Sequence, residues 1–510
     1  MHTKVLLPIF LFLATGTFAQ VSQVRFELPI HPNQNEPYRT ISLQKDGLML
    51  YALFIGKEKN VIEVMRIDTT FKEVWKGYIA VERNLVITSS KFFNNQIYLL
   101  LKDRFNPLAE FVVLSIEMKN GNYGVRNVKT LLAFQPTHFT VTKDAALIGG
   151  YFNYRPLVLY YSFALNQSKI LPGFFNEVGE LDQIRADAAG NIDIVVSGRN
   201  VSKRRSLWIR NYDQYGDLVK TIFLLPEDDN VNLLYGRSVG QPGGDQIVCG
   251  VYGRYTEFSR GIFVAKVNAY GEYAIKYYNY ADLQRFFNYM KAKREKRVKD
   301  RIERRKIRGK KTKFNYRLMV DDLVAYGDQF IMLGEAYYPH YSYPSASRMM
   351  MMSPYYSGIY PRNVLSPSSR GDLVFDGYQY THAVVIGFDK DGNLKWDNSF
   401  EINDVRTMQL EQFVKIHPEE DKISLLYLFD NVIRSKVIKD YEVVEGKTYD
   451  PLHIGPTDAI VRDRGPQQTK LDYWYGDTFY ATGIQNVRSR RDPNEEHFRK
   501  VFFINKIEYR

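Results

Sequence analysis

Two stretches of this 510-residue chain hold residue types at spacings that suit binding chemistry. Lys291 to Lys313 carries 14 Lys or Arg against three acids, a net charge of +11 in a chain whose total is +12. Lys291, Lys293, Arg294, Arg297, Arg301, Arg304, Arg305 and Arg308 would present closely spaced cations to an anionic partner. Lys4 supplies the remaining unit of charge, so the rest of the chain is neutral on balance. The second stretch, 337–378, is dense in Tyr, Pro, Ser and Met. Tyr341, Tyr343, Tyr355, Tyr356 and Tyr360 would make an aromatic platform for a carbohydrate or a peptide, with a packed or disordered loop as the plainer reading. Met349 to Met352 beside His340 suggest copper(I), but consecutive side chains of an extended segment point to opposite sides and cannot converge on one ion.

Catalytic constellations are harder to find. His31, His138, His340, His382, His417, His453 and His497 are scattered, without HExxH or another metal-ligand spacing, and each reads as structural. No P-loop, GxSxG elbow or GxGxxG after a strand occurs. Cys249 lies in an apolar run with no histidine near it in sequence, so it reads as a small buried hydrophobe rather than a nucleophile. Asp321, Asp322 and Glu335 would form a carboxylate cluster near a channel mouth, which is what a glycosidase or lyase needs. No cofactor and no metal ion are expected.

The elements that must position these residues repeat. "IRNYDQYGDLVK", "AKVNAYGEYAIK" and "IGFDKDGNLKWD" each contain an apolar strand, Asp or Asn, two residues, Gly, and a second strand. Asp213, Asn268 and Asp389 head these turns because their side chains bond the backbone ahead; Gly216, Gly271 and Gly392 close them with positive φ. Weaker copies fall at Asp68, Glu117, Asn166, Asp440 and Glu508, and the first spacings are 49, 49 and 47 residues. A second turn marker precedes most of these by roughly 20 to 25 residues, as at Asp46-Gly47, Asn94-Asn95 and Gly190-Asn191. A period near 50 with several short strands per unit predicts an all-β, single β-propeller over 20–510, with eight blades and seven as the alternative count. The chain ends on a third strand, "KVFFINKIEYR", and "VRFELPI" near its start has no blade of its own. Pairing the two would build the eighth blade from both ends and remove an open sheet edge.

Residues 1–19 read as a signal peptide: Lys4 in the polar start, an apolar run of about ten residues, and small residues before a cleavage site after Ala19. That run is too short to span a bilayer, and no other stretch is long and apolar enough. Residues 281–313 read as a basic helical arm inserted in the propeller. Leu283, Phe286, Phe287 and Met290 have helical spacing and lead into the basic run, which predicts one helix roughly 40 Å long ending at Gly309. Glu295, Asp300 and Glu303 each have a base three or four residues later. In a four-stranded blade, fourth-to-first and second-to-third connections leave by the same face. The arm follows a fourth strand and the loop at 337–378 follows the next blade's second strand, so both should rise from one face over blades five and six.

Two propeller enzyme families leave partial traces. "FDKDGNLKW" resembles part of the sialidase Asp-box but lacks its serine and its Gly–Trp spacing. Trp75 and Trp396 resemble the docking tryptophans of quinoproteins, but four Trp cannot serve eight blades. Over residues 21–510 the repeats resemble exported β-propeller proteins of Bacteroidota envelopes, and the "FAQ" signal ending resembles signals common in that group. The resemblance implies a non-catalytic binding or scaffold module, periplasmic or at the cell surface, holding an envelope protein, an anionic envelope surface or a polysaccharide through the arm. Nucleic acid is not expected as a partner, because export argues against it and no nucleic-acid fold surrounds the arm. A carbohydrate-active propeller enzyme is the alternative.

Overall fold

The computed structural model describes residues 21–509 except 35, 107, 109, 131, 175–177, 242, 343–373, 420–421, 455–457, 462–468 and 493–494. The signal-peptide reading and Tyr343, Tyr355, Tyr356 and Tyr360 therefore lie outside the described residues.

Runs rich in Val, Ile, Leu, Phe and Tyr pair into eight antiparallel sheets arranged as propeller blades. Blades 1 to 7 span 39–82, 85–128, 135–170, 179–224, 232–279, 317–401 and 415–451. Within each the strands follow sequence order, and first strands of neighbouring blades approach one another around the axis. Blade 8 takes three strands from 469–509 and its fourth from Val21–Pro29, which pairs with Val501–Tyr509 in unbroken register. Glu508, expected to head a turn, is therefore a strand residue opposite Ser22.

The turn chemistry read from the repeats is present. The Asp213, Asn268 and Asp389 side chains each accept backbone N–H bonds from residues two and four ahead, at 2.8–3.0 Å. Gly216, Gly271 and Gly392 follow at φ of 77°, 93° and 73°, a region an L side chain enters only with strain. These third-to-fourth turns and the first-to-second turns share one face, so short connections close that side of the ring.

The core is a ring of seams. Eight clusters of buried apolar side chains each join one blade to the next, including blade 8 to blade 1. Cys249 is fully buried in the seam between blades 5 and 6, with Sγ 3.2 Å from Met332 Sδ, and burial pushes its thiol pKa up.

The arm differs from the single helix expected. Residues 283–290 are not helical, and α1 runs only from Ala292 to Ile307, about 24 Å at 1.5 Å per residue. The cause is competition for backbone amides. Asp397 of blade 6 accepts the N–H groups of Gln284 and Arg285 at 2.8 and 2.7 Å, while Leu283, Phe286 and Phe287 sink into the seam between blades 5 and 6. α1 then rests on that seam through Val298 and Ile302. It ends as expected: Gly309 has φ 65°, and the N–H groups of Gly309 and Lys310 donate to the carbonyls of Lys306 and Arg305. Lys299 pairs with Glu295 at 2.6 Å, whereas the Arg304 guanidinium donates to the Asp300 backbone oxygen.

His382 lies under the arm's base. Its ring stacks on Tyr289 at 3.7 Å and meets Phe286 and Tyr316 edge-on. The imidazole is fully buried, Nε2 has no hydrogen-bond partner among the described residues, and burial holds its pKa down to about 3.

Two expectations follow. A chain lacking 21–29 leaves the edge of Val501–Tyr509 unpaired, so it should associate on size exclusion and unfold at a lower temperature; an unchanged melting profile would show that the ring holds without this strand. For His382, the folded chain refuses a proton that the unfolded chain takes up below its usual value of 6.5. Its contribution is intact above that pH and is lost as pH falls from 6.5 toward 3, at up to about 1.4 kcal/mol per pH unit. His382→Phe should therefore flatten the loss of stability between pH 7 and pH 5 in denaturant titrations, relative to the unsubstituted chain.

Candidate binding face

The fourth-to-first and second-to-third connections emerge opposite the tight turns, and this face carries the long insertions. Lys291, Lys293, Arg294, Arg297, Arg301, Arg304 and Arg308 are exposed on it; Arg305 is half-buried, with Nη2 donating to the Lys311 carbonyl at 3.3 Å. Lys293, Arg297, Arg301, Arg304 and Arg308 recur at steps of four, four, three and four, which keeps them within about 80° of one another around a helix turning about 100° per residue. Val298 and Ile302 lie roughly 120° away by the same arithmetic. Docking α1 by its apolar stripe thus turns a row of cations about 22 Å long toward solvent.

The second expected site is partly strand rather than loop. Gln329–Ser342 and Val374–Asp389 form a hairpin whose pairing continues to Ser342 and Val374, past the ends of both flanking strands of blade 6. Residues 337–342 and 374–378 belong to these strands, and Arg406–Thr407 pairs along Tyr378 and Gln379. The reason is aromatic packing: Tyr337–Tyr378 and Tyr341–Phe375 centroids lie 5.6 and 5.9 Å apart across the ladder, and Phe375–Tyr378 lie 5.0 Å apart along one strand. Tyr341, 45% exposed, is the one member of the expected platform within the described residues.

Blade 8 projects a second hairpin that the repeat alone does not predict. Its strands Thr478–Asp492 and Glu495–Tyr509 continue beyond the neighbouring strands, with Asp458–Val461 paired along one side. The signal was the 68-residue spacing from Asp440 to Glu508, well above the period near 50. On the same face, Leu53, Ile55, Asn60, Arg83, Arg104 and Phe105 line an open cavity of about 540 Å³ between blades 1 and 2.

Of the expected carboxylates, Glu335 faces the protein interior. Glu335 is fully buried, and its carboxylate accepts the backbone N–H groups of Phe413 and Val414 at 2.5–3.1 Å, tying blade 6 to the segment that enters blade 7. Burial raises its carboxyl to about 8 despite those bonds. Asp321 and Asp322 sit at a bulge in the first strand of blade 6, where the register slips between Val320 and Asp322. A comparable bulge in blade 4 holds Asp182, which accepts Ser197 Oγ at 3.0 Å and the Gly236 N–H at 3.3 Å and so joins blades 4 and 5. Burial raises its pKa well above the ordinary carboxylate range. Near it the Arg237 guanidinium donates to the Asp182 carbonyl, and His138 is held down to about 4 by burial and by that guanidinium. Glu335 and Asp182 thus link blades through backbone partners, the arrangement expected of structural rather than reacting groups.

No protein-family model matches the chain, and no curated protein matches it. Among solved structures it is similar to the polysaccharide lyase Uly1, with a TM-score of 0.40 and 9% identity over 82% of this chain and 89% of that one. It is also similar to the β-propeller domain of the Trilobed protease from Pyrococcus furiosus, with a TM-score of 0.35 and 8% identity over 81% of this chain and 97% of that one.

Proposed function

We propose that this chain is a non-catalytic binding module, exported to a bacterial cell envelope, that holds an anionic partner on the face bearing α1 and the two hairpins. The observation that carries this reading is the seating of α1. An arm with +11 net charge that merely decorated a loop would not need anchoring. Here Phe286 and Phe287 are buried at its base, Val298 and Ile302 pack along its length, and Thr312 is buried where the chain returns to blade 6. The cations are thereby held in a fixed row, which lowers the ordering cost of meeting a partner. Their attraction acts within about 8 Å at physiological salt, so it serves capture at close range. The reading favours a partner with repeated negative charge, such as an acidic polysaccharide or an anionic envelope surface. No helix among the described residues is long and apolar enough to cross a membrane.

Replacing Lys293, Arg297, Arg301, Arg304 and Arg308 together by Gln leaves Val298 and Ile302 in place and should not change the melting temperature. The salt needed to elute the protein from a sulfated-polysaccharide column should fall sharply, and co-purification with envelope material should be lost. Retention of both in the folded variant would remove the arm from the binding role.

A further inference from the structure

A separate cluster lies on the opposite face, where the first-to-second turns close the ring. His417 is the last residue but one of the first strand of blade 7, Glu419 begins the turn that follows it, and Asp477 sits in the corresponding turn of blade 8. One ligand atom from each lies within 4.8 Å of the others. These residues are at most 60 positions apart in sequence, about one blade period, so the ring itself brings them together. The imidazole is oriented before any ligand arrives: it stacks on Tyr473 at 4.5 Å and 18°, with Phe479 edge-on at 6.0 Å. Neither ring nitrogen has a hydrogen-bond partner among the described residues. The Glu419 carboxylate is steadied by Ser424 Oγ at 3.3 Å and by Lys422 Nζ at 3.0 Å.

We propose that His417, Glu419 and Asp477 form a divalent transition-metal site, of zinc type, that clamps blade 7 to the chain-closing blade 8. One imidazole nitrogen and two carboxylates suit a borderline divalent ion, with the fourth position left to water. Ligand atoms around tetrahedral zinc stand about 3.3 Å apart, so the three side chains need to close by at most about 1.5 Å. Two carboxylates neutralise the ion, and the Lys422 ammonium, now on Glu419, is the cation it displaces.

The test is zinc titration by calorimetry on the full chain without a polyhistidine tag, after treatment with chelator. The expected result is one zinc per chain, a rise in melting temperature with zinc, and loss of both in His417→Ala. Lys422→Ala should bind more tightly because the competing cation is gone, and Tyr473→Ala should bind roughly 10-fold more weakly because the ring loses its support. If His417→Ala fails to fold by circular dichroism in chelator, Asp477→Asn, an exposed turn position, gives the same reading. The proposal is overturned if the unsubstituted chain takes up no zinc, if either ligand variant binds zinc with unchanged affinity, or if calcium binds as tightly as zinc.

Discussion

The structure depends on closing a ring. Each blade is a small sheet with apolar side chains on both faces, and a two-faced sheet cannot be stable until a neighbour covers each side. Seven blades come from contiguous chain, and the eighth exists only when Val21–Pro29 pairs with Val501–Tyr509. That pairing covers the edge of the last contiguous strand and completes the seam formed by Leu48, Leu50, Trp474 and Phe502 between blades 8 and 1. The pairing is long-range, joining residues some 480 positions apart, so it is entropically the costliest contact in the fold. Unbroken register over nine residues and apolar packing on both sides offset that cost.

A closed ring divides the labour between its faces. On one side Asx turns headed by Asp213, Asn268 and Asp389 leave no room for insertions, since each turn is satisfied within five residues. On the other side the connections leave the sheets without such constraint, and the arm and both hairpins grow there. The buried carboxylates follow the same division. Glu335, Asp182 and Asp397 each accept backbone N–H groups from the neighbouring blade or the arm's base, so they act as rivets at seams where apolar packing alone would leave amides unpaired. Such groups have the raised pKa values often associated with catalysis, but their partners are spent on structure.

Much of this was legible in advance because a propeller is a local repeat. A turn of the form Asp-x-x-Gly is decided by its own residues, and a period near 50 counts the blades directly. The placement of the arm and the blade 6 insertion on one face also followed, because strand alternation fixes which connections share a side. The arm's apolar beginning did not follow. Leu283, Phe286, Phe287 and Met290 have a helix's spacing, yet the Asp397 carboxylate takes two of the amides there and the rings pack into a seam. Nothing in the spacing reveals a carboxylate that lies over a hundred residues away. The loop expected at 337–378 likewise differs at its ends, because aromatic pairing carries the ladder past the blade despite Pro339.

By itself the sequence determined the fold class, the blade count, the turn chemistry and the location of the positive charge, since each is set by composition or by residues close together in the chain. Only the tertiary structure decided which residues meet. It buried Glu335 instead of presenting it, turned one flank of α1 outward by docking the other, and set His417 and Glu419 beside Asp477 across a blade boundary. The physical reason is the same in each case. Seam packing chooses partners by the geometry of adjacent blades, and that geometry is fixed only once the ring has closed.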